Sequence, residues 1–167
     1  MNVEQAKAKF IQSWGTFGSE WGINRTMAQI HALLLISPVA LSTEEIMAEL
    51  SVSRGNANMN LRSLMDWGIV FKELVPGERK EYFVAEKDIM KVARQISRER
   101  RKRELEPVLG ILSEIATINP GTSKEGIELK KVAGNIHEVA LRVDDVLDKF
   151  SRSDENWFYK MVLQLMK

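Results

Sequence analysis

Ser53-Arg54-Gly55-Asn56-Ala57-Asn58-Met59-Asn60-Leu61-Arg62 is the stretch from which the rest of the chain can be read. Ser53 is a helix N-cap residue, and Ala57, Leu61 and Leu64 follow at i, i+4 and i+7, which predicts a helix from Arg54 to Trp67 closed by Gly68. At about 100° per residue, a core face through Ala57, Leu61 and Leu64 puts Gly55, Met59, Arg62, Ser63 and Asp66 opposite it. Asn56 and Asn58 fall on the flanks, and Asn60 lies nearer the core edge. Three Asn lower helix propensity without serving the fold, and no acid precedes Asp66. Asn can pair with an adenine edge and Arg with guanine or a phosphate. Gly55 lets a polyanion backbone approach the helix N-terminus, where free N–H groups favour a phosphate, and Met59 suits a thymine methyl. This is the pattern of a helix that reads double-stranded DNA.

Upstream of this segment, Ser42-Thr43-Glu44-Glu45 has the capping-box spacing and opens a short helix with Ile46, Met47 and Leu50 inward. Before it, Asn24 caps a helix through Met27, Ile30, Leu33 and Leu34 that Pro38 stops. Val3, Ala6, Phe10, Trp14 and Phe17 recur at spacings of three and four, marking an N-terminal amphipathic helix whose end Gly15, Gly18 and Gly22 loosen. Downstream, Ile69 to Val75 and Glu81 to Ala85 are β-branched and aromatic and flank Pro76-Gly77-Glu78-Arg79-Lys80, which predicts a β-hairpin with a tight tip. From about Asp88 the chain returns to helix. A first helix covers about 88–106, and Pro107 kinks it or sits in the first turn of the next. Asn119-Pro120-Gly121-Thr122-Ser123 breaks the run. Leu129, Val132, Ile136, Val139, Val143, Val146 and Phe150 then alternate three and four apart, close to a coiled-coil seam. Ser153 caps a last helix with Trp157, Phe158, Met161, Leu165 and Met166 on one side.

Three short helices followed by a two-stranded hairpin is the winged-helix order. The predicted fold is mainly α with a small β-hairpin (α+β): a winged helix-turn-helix over 23–86, an N-terminal helix over 1–22, and long helices over 87–167 that serve dimerisation. Arg79 and Lys80 at the hairpin tip would reach the minor groove or flanking phosphates, and Ser42 and Thr43 are further candidates for phosphate contact. With Ser53, Arg54, Gly55, Asn56, Asn58, Met59, Asn60 and Arg62 they form the predicted DNA-contacting set.

Residues 21–85, from Trp-Gly-Ile-Asn-Arg-Thr through Ser-Arg-Gly-Asn-Ala-Asn-Met-Asn-Leu-Arg and Asp-Trp-Gly-Ile-Val to Val-Pro-Gly-Glu-Arg-Lys-Glu-Tyr-Phe, resemble the MarR-type winged-helix regulators. Among these they are most similar to the GbsR-like subgroup, repressors of glycine-betaine synthesis and related osmoprotectant genes. The resemblance implies a prokaryotic homodimer with the recognition helix in the major groove and the wing beside it, joined through N- and C-terminal helices. It also implies control by a small effector, choline- or betaine-like in the best-known members. Such a cation is held by ring faces, and Trp14, Phe17, Trp21, Trp157, Phe158 and Tyr159 are the candidate cage, against the plainer reading of core and interface aromatics.

Charge narrows the reading further. Residues 91–103 hold seven Lys/Arg and one Asp/Glu, a balance of +6 in a chain of net charge +1. Arg94, Arg98, Arg101 and Lys102 share one helix face there, open either to phosphate or to pairing with the acidic C-terminal helices. The chain has no cysteine, so thiolate catalysis and cysteine-ligated zinc are excluded. His31 and His137 have no partner at metal-ligand spacing, and no nucleophile elbow or phosphate loop occurs. No enzyme, metal or cofactor is expected, and the setting is cytoplasmic. The rival function is a winged helix that binds protein rather than DNA; Arg54, Asn56, Asn58 and Arg62 argue against it.

Overall fold

The computed structural model describes residues 1–153; the helix expected after Ser153, with Trp157, Phe158 and Tyr159, lies outside the described residues. The chain divides into two compact units, Met1–Val92 and Ala93 onward.

The first unit runs α1 (Val3–Glu20), α2 (Arg25–Ile36), β1 (Leu41–Ser42), α3 (Thr43–Leu50), α4 (Arg54–Asp66), β2 (Val70–Glu73), β3 (Tyr82–Ala85) and the start of α5 (Ile89–Arg100). Each N-terminus is fixed by the side chain before it. The Asn24 oxygen accepts the Met27 N–H and the Ser53 oxygen the Asn56 N–H, while Asn2 with Gln5 and Ser42 with Glu45 form full capping boxes. Each such bond satisfies a backbone donor that the helix leaves open and contributes about 1 kcal/mol.

Helix α2 is the centre of this unit. Met27, Ala28, Ile30, His31, Ala32, Leu33 and Leu34 are all buried, so it is covered on several sides rather than along one stripe. Ile46 of α3, Leu61 and Leu64 of α4, and Ile69 and Val70 at β2 complete the core. Against α2 lies α1, and here Gly15 and Gly18 do the opposite of loosening a helix end. Both are buried inside α1, and a Cβ on Gly18 would come within 2.6 Å of the Ala28 Cβ. The two glycines set the close approach of α1 to α2. The helix ends only at Trp21, with Gly22 at φ +75°.

The turn between α3 and α4 passes through Ser51, a non-glycine residue in the left-handed region at φ 53°. After α4 the chain leaves by paired bonds: Gly68 N–H to the Met65 carbonyl and Ile69 N–H to the Leu64 carbonyl, with Gly68 at φ +66°. This is the glycine C-cap that the sequence predicts. It delivers Val70 directly into β2.

The hairpin carries a third strand that the sequence does not betray. The sheet order is β1-β3-β2, all antiparallel, with Leu41 opposite Phe83 and Ser42 opposite Tyr82. Two residues are too few to show an alternating pattern, so β1 is legible only from its partner. Between β2 and β3, Glu73 pairs with Tyr82, and residues 74–81 form a longer wing than a tight tip. Lys87 fixes the exit from β3: its ammonium donates to the carbonyls of Leu34, Leu35 and Ser37 at 2.6, 2.8 and 2.7 Å. It thereby caps the C-terminus of α2.

In the second unit a π-helical turn, Arg101–Leu105, links α5 to α6 (Glu106–Ala116), and α7 spans Lys124–Arg152. Pro107 lies in the first turn of α6, where its missing N–H costs nothing. The basic run is spent within this unit. Arg94 and Arg98 donate to the Ser153 and Ser151 carbonyls at the end of α7, at 3.0 and 3.1 Å. Arg101 makes a bidentate pair with Asp144 (2.6 and 2.9 Å) and reaches Asp148 and Glu106, while Arg100 and Arg103 pair with Glu104 and Glu99. Of the two uses open to this run, it is pairing with acids and helix-end carbonyls that most of its arginines adopt.

Candidate nucleic-acid interface

Helix α4 divides sharply between its two faces. Ala57, Asn60, Leu61 and Leu64 are buried. Ser53, Arg54, Gly55, Met59 and Arg62 are exposed, and Asn56 and Asn58 are half-buried on the flanks. Met59 is 58% exposed, far more than its apolar side chain warrants in a helix with a packed core beside it. Gly55 has open space where a Cβ would stand, so the neighbouring structure does not require glycine there, although glycine costs a helix about 0.5–1 kcal/mol against alanine.

Three predicted contact residues fall elsewhere. Asn60 is buried at 3% exposure, and its side-chain amide donates to the Asn56 carbonyl at 2.9 Å and the Asn56 side-chain oxygen at 2.7 Å. It stands on the same face as Ala57, Leu61 and Leu64, and it holds the Asn56 side-chain oxygen. Ser42 and Thr43 are buried as well, at 3% and 7%. The Ser42 hydroxyl donates to Glu45 at 2.7 Å and accepts the Glu45 N–H, so capping occupies it fully. These side chains start α3 and do not meet the surface.

The wing is exposed along 76–81, with Gly77 at φ +85° and the Glu78 N–H bonded to the Val75 carbonyl. Arg79 and Lys80 project from it, and an ion pair between Lys72 and Glu81 ties the strand ends below. Sequence reasoning overlooked Leu74, which is 96% exposed. Its signal was an apolar residue standing just past the last strand pair.

It also overlooked Glu44. The Glu44 carboxylate lies 2.9 Å from the Arg54 guanidinium, joining the start of α3 to the start of α4. A backbone N–H bond, then Arg54, and more weakly Lys80 of the wing hold this carboxyl below its ordinary range. Glu45 is likewise lowered, mainly by its bonds to Ser42. One carboxylate therefore stands among the cations of this face.

The aromatic residues proposed as a cage form a ladder along α1. Ring centroids lie 5.6 Å apart for Phe10–Trp14, 5.9 Å for Trp14–Phe17 and 5.1 Å for Phe17–Trp21, so successive rings lean on one another. Trp157, Phe158 and Tyr159 lie outside the described residues. His31 packs beneath Trp14, with ring centroids 6.2 Å apart. Burial, helped by the charge of Lys87, pushes its pKa down to about 4, and its Nε2 is buried without a hydrogen-bond partner. It is a neutral core residue. Among the described residues no cluster of three or more His, Asp and Glu is placed to hold a metal ion, and no helix is long and apolar enough to cross a membrane.

On α7, Leu129, Val132, Ile136, Val139, Val143 and Val146 are 44–61% exposed. Among the described residues these six positions of the predicted seam are exposed, while the seventh, Phe150, is half-buried. Leu112 of α6 and Ala133 of α7 are the buried apolar residues of this pair.

Comparison with known proteins agrees with this architecture. No family model matches the sequence. The HTH-type transcriptional regulator MmpR5 of Mycobacterium tuberculosis is 24% identical over 154 residues, covering 91% of each chain. The HTH-type transcriptional repressor GbsR of Bacillus subtilis is 24% identical over 160 residues, covering 95% of this chain and 85% of GbsR. A crystal structure of a transcriptional regulator superposes with a TM-score of 0.58 at 21% identity, covering 89% of this chain and 99% of that one; at that identity the likeness speaks for the fold. Both named relatives are regulators, not enzymes, and the resemblance to GbsR-like proteins seen in residues 21–85 extends over nearly the whole chain. The chain is a winged helix-turn-helix protein related along nearly all its length to HTH-type transcriptional regulators, GbsR among them.

Proposed function

We propose that this protein is a sequence-specific double-stranded DNA-binding transcriptional repressor that acts as a homodimer in the cytoplasm. Helix α4 enters the major groove and wing 74–81 lies on the minor groove or the adjacent backbone. The observation that carries the reading is the exposed face of α4, where Arg54, Gly55, Met59 and Arg62 stand with Asn56 and Asn58 beside them and no acid before Asp66. Those groups match base edges and phosphates, and the fold of the first unit engages their side chains through the Arg54–Glu44 pair and the Asn60–Asn56 bond. Arg62 and Asn58 are the favoured base contacts; Arg54, Arg79 and Lys80 are backbone contacts.

The uncovered seam of α7 supports the homodimer. Six apolar side chains at three-four spacing are costly in water, and a second copy of the same helix covers them by symmetry.

The test is a mobility-shift titration against the DNA upstream of the protein's own gene at several salt concentrations. The proposal expects saturable binding that weakens steeply as salt rises, by roughly 0.9 in logarithmic slope for each phosphate neutralised. It also expects selectivity over random duplex of at least about a thousandfold. Equal affinity for all duplexes, or no binding at low salt, would refute it.

A further inference from the structure

Glu44 is the one carboxylate of the first unit that pairs with a cation of the α4 start, and within the fold its carboxylate otherwise accepts a first-turn N–H of α3. The capping of α3 is done by Ser42 and Glu45. Glu44 is instead half-exposed, its side chain 42% accessible, and bonded across the helix-turn-helix to Arg54, whose own side chain is 59% accessible. An exposed ion pair of this kind adds little to stability, about 0–1 kcal/mol. It is close enough to Lys80 of the wing for that charge to act on its carboxyl. Glu44 thus lies where a negative charge opposes any approach of a DNA backbone to Arg54 and the wing.

We infer that Glu44 attenuates DNA binding: it holds and neutralises Arg54, so that the protein adheres more weakly to any duplex than the cations of this face alone would allow. This inference rests on the DNA-binding reading above. Non-specific affinity is almost wholly a matter of neutralised phosphates, so one masked arginine lowers it directly. At a selected site the docking of α4 separates Arg54 from Glu44, and opening the pair costs part of the binding energy there as well.

The test compares the wild-type chain with Glu44→Gln, which keeps the length and hydrogen-bonding shape of the side chain and removes the charge. Each is titrated with a random-sequence duplex and with a duplex that the wild-type protein selects from a random pool. The expected result is about two- to fivefold tighter binding of Glu44→Gln to the random duplex at low salt, in keeping with an exposed pair. Its logarithmic salt slope should steepen by about 0.9, the value for one added phosphate contact. Binding to the selected duplex should tighten by at least as much, because the wild-type chain has to open the same pair there. The double variant Glu44→Gln with Arg54→Ala should return the random-duplex slope to the wild-type value. An unchanged affinity for either duplex would overturn the inference while leaving the DNA-binding reading intact. Failure of the wild-type chain to select any duplex would overturn both. Circular dichroism and the thermal midpoint of the single variant are expected to match wild type, which separates the effect from a damaged α3.

Discussion

Helices α4 and α7 each leave a face uncovered, and the two faces are opposite in kind. On α4 the buried side is a narrow stripe of Ala57, Asn60, Leu61 and Leu64, and the open side offers Arg, Asn, Gly and Met. On α7 Ala133 and Ser151 are buried, and the open side is Leu129, Val132, Ile136, Val139, Val143 and Val146. Water tolerates the first face indefinitely, since its polar groups are solvated until a polyanion replaces the water. The second is a standing cost that a partner surface removes. An open polar face can therefore serve a reversible contact, whereas an open apolar seam is suited to a lasting one. The proposed division of labour follows from that difference.

The comparison breaks most visibly on α7. Val139→Glu puts a charge into the seam at a position 61% exposed in the single chain, so the protomer should fold normally. A dimer would have to bury that charge unpaired, at a cost of about 3–5 kcal/mol. Sedimentation should show the dissociation constant raised more than about a hundredfold, with the helical circular dichroism spectrum retained.

On α4 the converse is expected. Arg62→Ala should cost about 1–3 kcal/mol on the selected duplex if Arg62 reads a base, while moving stability by less than about 0.5 kcal/mol because the side chain is exposed. A comparable loss on every duplex would make Arg62 a backbone contact instead.

Beneath these faces lies the packed core of the first unit, which should answer to pH through His31. Its folded pKa, about 4, is below the unfolded value of 6.5. The stability it permits is therefore full above pH 6.5 and declines as pH falls from 6.5 towards 4. Between pH 7.5 and 5 this amounts to about 2 kcal/mol. Urea unfolding at the two pH values should show the loss in the wild-type chain and a smaller one in His31→Leu. An equal pH dependence in both would remove His31 from the account.

The smallest effect concerns Gly55. Gly55→Ala should stabilise the free protein by about 0.5–1 kcal/mol, because no neighbouring group lies where the new methyl goes. If the duplex backbone approaches there, the same change weakens DNA binding. Gains in both quantities would mean that nothing comes close to residue 55.

Much of this was legible in the sequence because it is local. The caps at Asn24, Ser42 and Ser53, the glycine stop at Gly68 and the three-four spacing along α7 all depend on residues within one or two turns of each other. What escaped depends on contacts between distant segments. Gly15 and Gly18 look like helix looseners until Gln29 and Ala28 are set against them. Strand β1 exists only through β3, and Glu44 gains its meaning from Arg54 and Lys80. Asn60 escaped for a different reason. Its periodicity placed it with Ala57, Leu61 and Leu64, but its polar type argued for the surface, and the bond to Asn56 that lets it stay inside is invisible without coordinates.

The most direct test joins the two open faces in one measurement: the sequence pattern of duplexes that the purified protein selects from a random pool. A homodimer held by α7 and reading with two copies of α4 predicts an inverted repeat whose half-sites are centred about 10 base pairs, or a multiple of one helical turn, apart. Enrichment of a single asymmetric site, or no enrichment at all, would contradict it.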